Sequence, residues 1–166
     1  MSTAPQYRSF SVLFVCLANI CRSPTAHGVF QQLASLRGLN RQIQVESAGT
    51  GAYHIGCSPD HRSIKVAAER GYDLKGLQAQ KTVEEDFRRF DYILAMDNDN
   101  LKRLREIEPV DSTATVQLFL DFSSQQQFTE VPDPYYGGAR GFDLVLDLIE
   151  DASAGLLDQL QRRVDG

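Results

Sequence analysis

Short apolar runs alternate with amphipathic stretches along this chain. Ser11–Val15 is nearly all apolar, the pattern of a strand covered on both faces. A loop runs on to Ser23, and Pro24 suits a first helical position. Ala26, Val29, Phe30 and Leu33 then recur at i, i+3, i+4 and i+7, one face of a helix that Gly38 would end. Gln42–Ser47 reads as a second strand. Ser58 and Pro59 open another helix, as N-cap and first residue, with Gly71 past its end. Glu84–Phe90 reads as a short helix, Tyr92–Met96 as a third strand and Asp97–Ile107 as a helix. Thr115–Leu120 makes a fourth strand. A last helix from about Phe142 carries Val145, Leu146, Ile149, Leu156 and Leu160 on one stripe.

Strands alternating with helices imply right-handed crossovers and a parallel sheet. The expected fold is α/β: a three-layer arrangement, with helices on both faces of a four-stranded, parallel, twisted sheet. Such sheets bind ligands at the carboxyl ends of strands, where strand order reverses. The loop after the first strand is therefore the first place to seek chemistry.

Length and composition narrow the classes. The 166 residues suit a single domain over 1–166, with residues 1–9 as a flexible leading segment. Hydrophobic residues at 42% and charged residues at 23% exclude a disordered or collagenous chain. The longest apolar run, Val12–Ala18, is too short to span a bilayer, and residues 1–9 do not read as a signal peptide. Three cysteines argue against a secreted disulfide scaffold, so the expected location is cytoplasmic. A net charge of −5 disfavours nucleic acid as a partner. Residues 1–83 nonetheless hold 9 Lys and Arg against 4 Asp and Glu, so an anion site sits more comfortably in that half, though charge alone equally fits two differently solvated faces.

The loop reads Cys16-Leu17-Ala18-Asn19-Ile20-Cys21-Arg22-Ser23. A loop of this length between strand and helix can curl until successive backbone N–H groups point inward, a concavity for a dianionic oxyanion. The following helix adds its positive end. Arg22 can grip two phosphate oxygens with its planar fork. Cys16 would lie at the bottom, where these donors favour a thiolate, placed for in-line attack on phosphorus. Ser23 can hydrogen-bond the sulfur as it leaves. A leaving alkoxide or phenoxide needs a proton donor. Asp133 is the candidate, in a loop stiffened by Pro134 and turned by Gly137 and Gly138. Taken singly, C-x5-R and Asp-Pro are common patterns; their combination, in this context, is not.

At these residues the chain resembles the low-molecular-weight protein tyrosine phosphatases. The matching blocks are Val12–Thr25, Ser47-Ala48-Gly49-Thr50, Phe90–Asp97 with Asn100-Leu101, and Asp133–Gly137. The resemblance implies a metal-independent phosphotyrosine phosphatase that forms a phosphocysteine on Cys16. Arg22 binds phosphate, the amides of Leu17, Ala18, Asn19, Ile20, Cys21, Arg22 and Ser23 cradle it, and Asp133 is general acid, then base. It also implies that Asn19 holds the loop with help from Ser23 and Ser47. Leu17, Tyr53, Tyr135 and Tyr136 line the pocket mouth, and Cys21 can form a disulfide with Cys16 as a redox switch. Expected partners are tyrosine-phosphorylated proteins, with no membrane, no cofactor and no metal, in a monomer or weak homodimer. The chain departs from the family at Leu77 and Gln80, where a His and an Arg are usual; the His often buttresses the Asn–Ser network.

Two other readings stand beside this one. Protein arginine phosphatases of the same fold tend to carry Thr where this chain has Ile20, and hydrocarbon there favours a flat phenyl group. A non-catalytic phosphate-binding module would need neither nucleophile nor acid. His54, Cys57 and His61 hint at a metal, but loop residues beside a pocket account for them better. His27 reads as packing or polar edge, and Asp97 as a helix cap rather than a brace for the acid loop. Tyr135 and Tyr136 could be phosphorylated, though pocket wall is the simpler role.

Overall fold

The computed structural model describes residues 8–166, except for the side chains of Tyr136 and Ala139. The expected flexible leading segment falls mostly outside this range. Four parallel strands, β1 (Phe10–Cys16), β2 (Ile43–Gly49), β3 (Tyr92–Ala95) and β4 (Thr115–Leu118), lie in the order β2-β1-β3-β4. Five α-helices surround them: α1 (Arg22–Leu36), α2 (His61–Glu69), α3 (Asp86–Arg89), α4 (Asn98–Ile107) and α5 (Gly141–Asp165). The α/β class, the four parallel strands and the helices on both faces are as expected.

β1 is the central strand. Its register runs from Phe10 opposite Ile43 to Cys16 opposite Gly49, and Val12 lies opposite Tyr92 on the other side. Successive side chains point to opposite faces. Phe10, Val12, Phe14 and Cys16 join one core with Val29 and Phe30 of α1 and Ile149 and Leu156 of α5. Leu13 and Val15 join the other, with Phe87, Phe90 and Leu104. Phe14 meets Phe30 and Phe119 edge to face. All five apolar residues expected on the α5 stripe are buried.

Several boundaries differ from the pattern; α3 starts at Asp86 rather than Glu84, and β2 runs on to Gly49 rather than Ser47. α1 begins at Arg22, two residues before Pro24, so Arg22 and Ser23 belong to its first turn. α2 is capped by Asp60, not Ser58: Asp60 accepts from the Arg62 N–H at 2.9 Å, and its own N–H donates to Ile20 O. β4 stops at Leu118, and Phe119–Phe122 turns as a 3-10 helix. That turn packs against α5 so closely that a Cβ on Gly155 would lie 1.9 Å from Phe122 O.

β1 has β2 on one side and β3 on the other, so the chain leaves it in opposite directions along the sheet. The crevice opens at this reversal, at the carboxyl ends of β1 and β3. Cys16 ends β1, and Asp97 stands just beyond β3. The Val131 N–H donates to Met96 O at 2.8 Å, which brings the loop that carries Asp133 to the same edge.

Candidate active site

The loop after β1 turns at Asn19, the one described non-glycine residue with positive φ (+58°), a conformation Asn tolerates better than most. The Asn19 side chain spans the loop. Its Nδ2 donates to Ser23 Oγ at 2.7 Å, and its Oδ1 accepts the Gln80 N–H at 3.0 Å. Ser23 Oγ lies 2.9 Å from Cys16 Sγ. One hydroxyl therefore links the loop's brace to the Cys16 sulfur. Among the described residues, no backbone N–H from Leu17 to Ser23 donates to a protein acceptor. Those of Arg22 and Ser23 are first-turn amides of α1, and its cap residue, Cys21, supplies no side-chain bond to them.

A cavity of about 280 Å³ collects the expected chemistry. Cys16 and Arg22 line it from the loop, and Asp133 and Tyr135 from the segment before α5. Leu17 and Ile20 add apolar wall, and His54 closes one side. Asn19 and Ser23, both buried, stand behind the loop.

Arg22 is held from the rear. Its Nη1 donates to Asp97 Oδ2 at 2.7 Å and to Val131 O at 3.0 Å. Burial opposes the guanidinium charge. The Asp97 hydrogen bond and the negative charges of Cys16, Asp97 and Asp133 outweigh burial and raise its pKa further. Asp97 also caps α4 through Oδ1, at 2.8 Å from the Asn100 N–H. The cap was legible; the ion pair was not.

A second network ties the acid loop down. Asp133 Oδ1 accepts the Tyr135 N–H at 3.0 Å, a local turn. The Tyr135 hydroxyl donates to Asp60 Oδ2 at 2.7 Å and accepts from the Cys21 thiol at 3.2 Å. The Arg62 guanidinium lies 4.5 Å from the centre of the Tyr135 ring, a cation–π contact. Burial works against the Asp60 charge, but the Tyr135 hydroxyl and Arg62 outweigh it and hold Asp60 below the usual carboxylate range. Burial, followed by the bonds to Cys21 and Asp60, pushes the Tyr135 hydroxyl well up. Burial likewise raises the Cys21 thiol above its ordinary value.

Some expectations need correction. Tyr53 is 74% exposed, lies against Gly51 and is not on the wall of the cavity; His54 is. Ser47 does not reach Asn19 or Ser23: its hydroxyl is 3.2 Å from His27 Nδ1. Ser23 is instead 3.4 Å from Ala48 O. The expected place of Tyr136 falls on a side chain outside the described residues. Gln80 contacts the network the usual His would buttress: its N–H donates to Asn19 Oδ1 at 3.0 Å and its Nε2 to Ser47 O at 2.9 Å. Gln80 stood out in the sequence only as a departure from the family, and nothing there singled out Asp60 or Arg62, because each acts on a partner brought near only by folding.

A family profile described as low molecular weight phosphotyrosine protein phosphatase matches residues 11–165. The chain is 43% identical over 145 residues to a protein of that description from Schizosaccharomyces pombe, covering 86% of this chain and 92% of that one. A protein tyrosine phosphatase from Entamoeba histolytica, solved with Hepes in its active site, superposes with a TM-score of 0.88 at 42% identity. That match covers 93% of this chain and 98% of that one. A Drosophila arginine phosphatase superposes with a TM-score of 0.84 at 28% identity, covering 90% and 97%.

Proposed function

This chain belongs to the low molecular weight phosphotyrosine protein phosphatase family and is a protein tyrosine phosphatase; we propose that it works through a phosphocysteine formed on Cys16. The observation that carries this is convergence: Cys16, Arg22 and Asp133, from separate segments, line one cavity.

The amides from Leu17 to Ser23 and the N-terminal end of α1 receive the phosphate dianion. With Nη1 of Arg22 held by Asp97 and Val131, the other edge of its fork is left to clamp two phosphoryl oxygens. The Cys16 thiolate attacks phosphorus. As the P–O bond breaks, Asp133 gives its proton to the phenolate oxygen. Asp133 then takes a proton from water, which attacks phosphorus, breaks the P–S bond and returns the thiolate. The Ser23 hydroxyl, 2.9 Å from the sulfur, stabilises the departing charge. The positive groups needed are supplied by Arg22 and the amides, so the scheme calls for no metal. Cys21, a thiol beside the nucleophile, fits the resolving position of a reversible redox switch.

A phosphoarginine substrate is the second reading, favoured by the likeness to the arginine phosphatase. Ile20 on the cavity wall argues against it, offering hydrocarbon to a phenyl ring and no hydroxyl to a guanidinium.

The test compares hydrolysis of p-nitrophenyl phosphate, a phosphotyrosine peptide and phosphoarginine, with EDTA present. Wild type should release phosphate from both aryl substrates, and Cys16→Ser should abolish release. Asp133→Ala should lose more on phosphotyrosine, whose leaving group needs the proton. Preference for phosphoarginine would overturn the use made of Ile20. Phosphate binding without turnover would leave only a binding module.

A further inference from the structure

A second cavity, of about 560 Å³, lies beside the first and shares Leu17, Arg22 and Asp133 with it. Its other side is α4 and the segment Glu130–Pro132. Neither the nucleophile nor the acid requires this space. A phosphotyrosine ring seated over Cys16 places the neighbouring residues of its own peptide at the shared wall. The volume falls within the range of ligand pockets and suits whole side chains.

The charges on this cavity are uneven. Arg22 and Asp97 both line it but answer each other at 2.7 Å. With Asp133 protonated for its part as the acid, what remains is Asp99, Glu106 and Glu130 against Lys102 and Arg103, an excess of one negative charge. Asn100 adds a second kind of observation. It lines the cavity, is 2% exposed, and its Oδ1 has no hydrogen-bond partner among the described residues. A buried acceptor without a donor is costly; the oxygen is closed to solvent in this structure, and a turn of the side chain toward the cavity would offer it to a group rich in N–H donors. Carboxylates and an amide oxygen accept; an ammonium offers three donors and a guanidinium five, with no acceptor of their own.

We propose that this cavity is a subsite for a cationic side chain, arginine or lysine, lying close to the phosphotyrosine in the substrate. The proposal rests on the phosphotyrosine phosphatase reading above. Asp99 and Glu106, both exposed on α4, supply the charge, and Leu17 and Asp133 form the sill between the two cavities.

The experiment measures kcat/KM on phosphotyrosine peptides that differ at one flanking position, which carries Arg, Ala or Glu on either side of the phosphotyrosine. Wild type is compared with Asp99→Asn/Glu106→Gln, and p-nitrophenyl phosphate, too small to reach the second cavity, is the control. At one flanking position, wild type should favour Arg over Ala by about fivefold, the scale of a partly exposed ion pair, through KM rather than kcat. The double variant should lose that preference and keep its turnover of the control. Equal rates on Arg and Ala peptides, a preference for Glu, or a preference that survives in the variant would overturn the proposal. Failure of wild type on the control itself would overturn the phosphatase reading, and the subsite with it.

Discussion

The Tyr135 hydroxyl accepts a hydrogen bond from the Cys21 thiol at 3.2 Å, joining the loop that carries Asp133 to the loop that carries Cys16. The same hydroxyl donates to Asp60, and Arg62 covers the ring. Asp133, the proposed general acid, thus stands two residues from an anchor with three separate contacts. Tyr135→Phe keeps the ring and loses both hydrogen bonds. Turnover of phosphotyrosine should fall about tenfold, roughly 1.4 kcal/mol, with a smaller loss on p-nitrophenyl phosphate. Equal losses on the two substrates would show that Tyr135 supports the fold rather than the placement of Asp133.

Asp97 uses its two oxygens for different ends, the Arg22 guanidinium and the α4 cap. Substitutions separate them. Asp97→Asn keeps a capping oxygen and removes the charge, so KM should rise several-fold while stability is kept. Asp97→Ala should raise KM and also cost about 1 kcal/mol of stability, the usual loss of a cap. Steady-state kinetics and denaturant unfolding on the pair check both halves.

His27 predicts a pH dependence of stability. Burial lowers its pKa below the ordinary histidine value, more than Glu46 and Gln31 raise it. The folded state therefore binds this proton less readily than the unfolded chain. Its contribution is full above the unfolded value of about 6.5 and is lost as pH falls from there through the depressed folded value. Unfolding free energies should decline over that window, and His27→Gln should flatten the decline. An unchanged slope in the variant would assign it to other groups.

Leu77 packs at the edge of the main core, and Asn19 already takes support from the Gln80 N–H. Leu77→His should change turnover by less than about tenfold and should lower stability by about 1–3 kcal/mol through burial of a polar ring. A larger gain in rate would mean that Asn19 is held more loosely than its two bonds suggest.

Gly155 pits propensity against packing. Alanine in mid-helix is favoured over glycine by about 1 kcal/mol. Here its Cβ would sit 1.9 Å from the Phe122 carbonyl oxygen, so α5 or the 3-10 turn must move. Gly155→Ala should destabilise by a net 1–3 kcal/mol or so, read as a lower denaturant midpoint. A higher midpoint would show that the turn yields easily.

The sequence by itself determined what depends on near neighbours. The apolar run before Cys16, the i, i+3, i+4 stripe of α1 and the five buried positions of α5 each repeat within a few residues, so periodicity reveals them. Cys16, Arg22 and Ser23 were legible for the same reason: one loop between strand and helix brings them together. Local chemistry was less sure at boundaries, where Asp60 caps α2 in place of Ser58 and α1 starts before Pro24. Only the tertiary structure decided what secures the site. Arg22 meets Asp97 across 75 residues, Cys21 meets Tyr135 across 114, and Asn19 meets Gln80 across 61. Such pairings follow from strand order and helix packing, which no local pattern encodes. Tyr53 illustrates the limit: the family resemblance put it at the pocket mouth, yet it stands 74% exposed and the cavity is lined by His54.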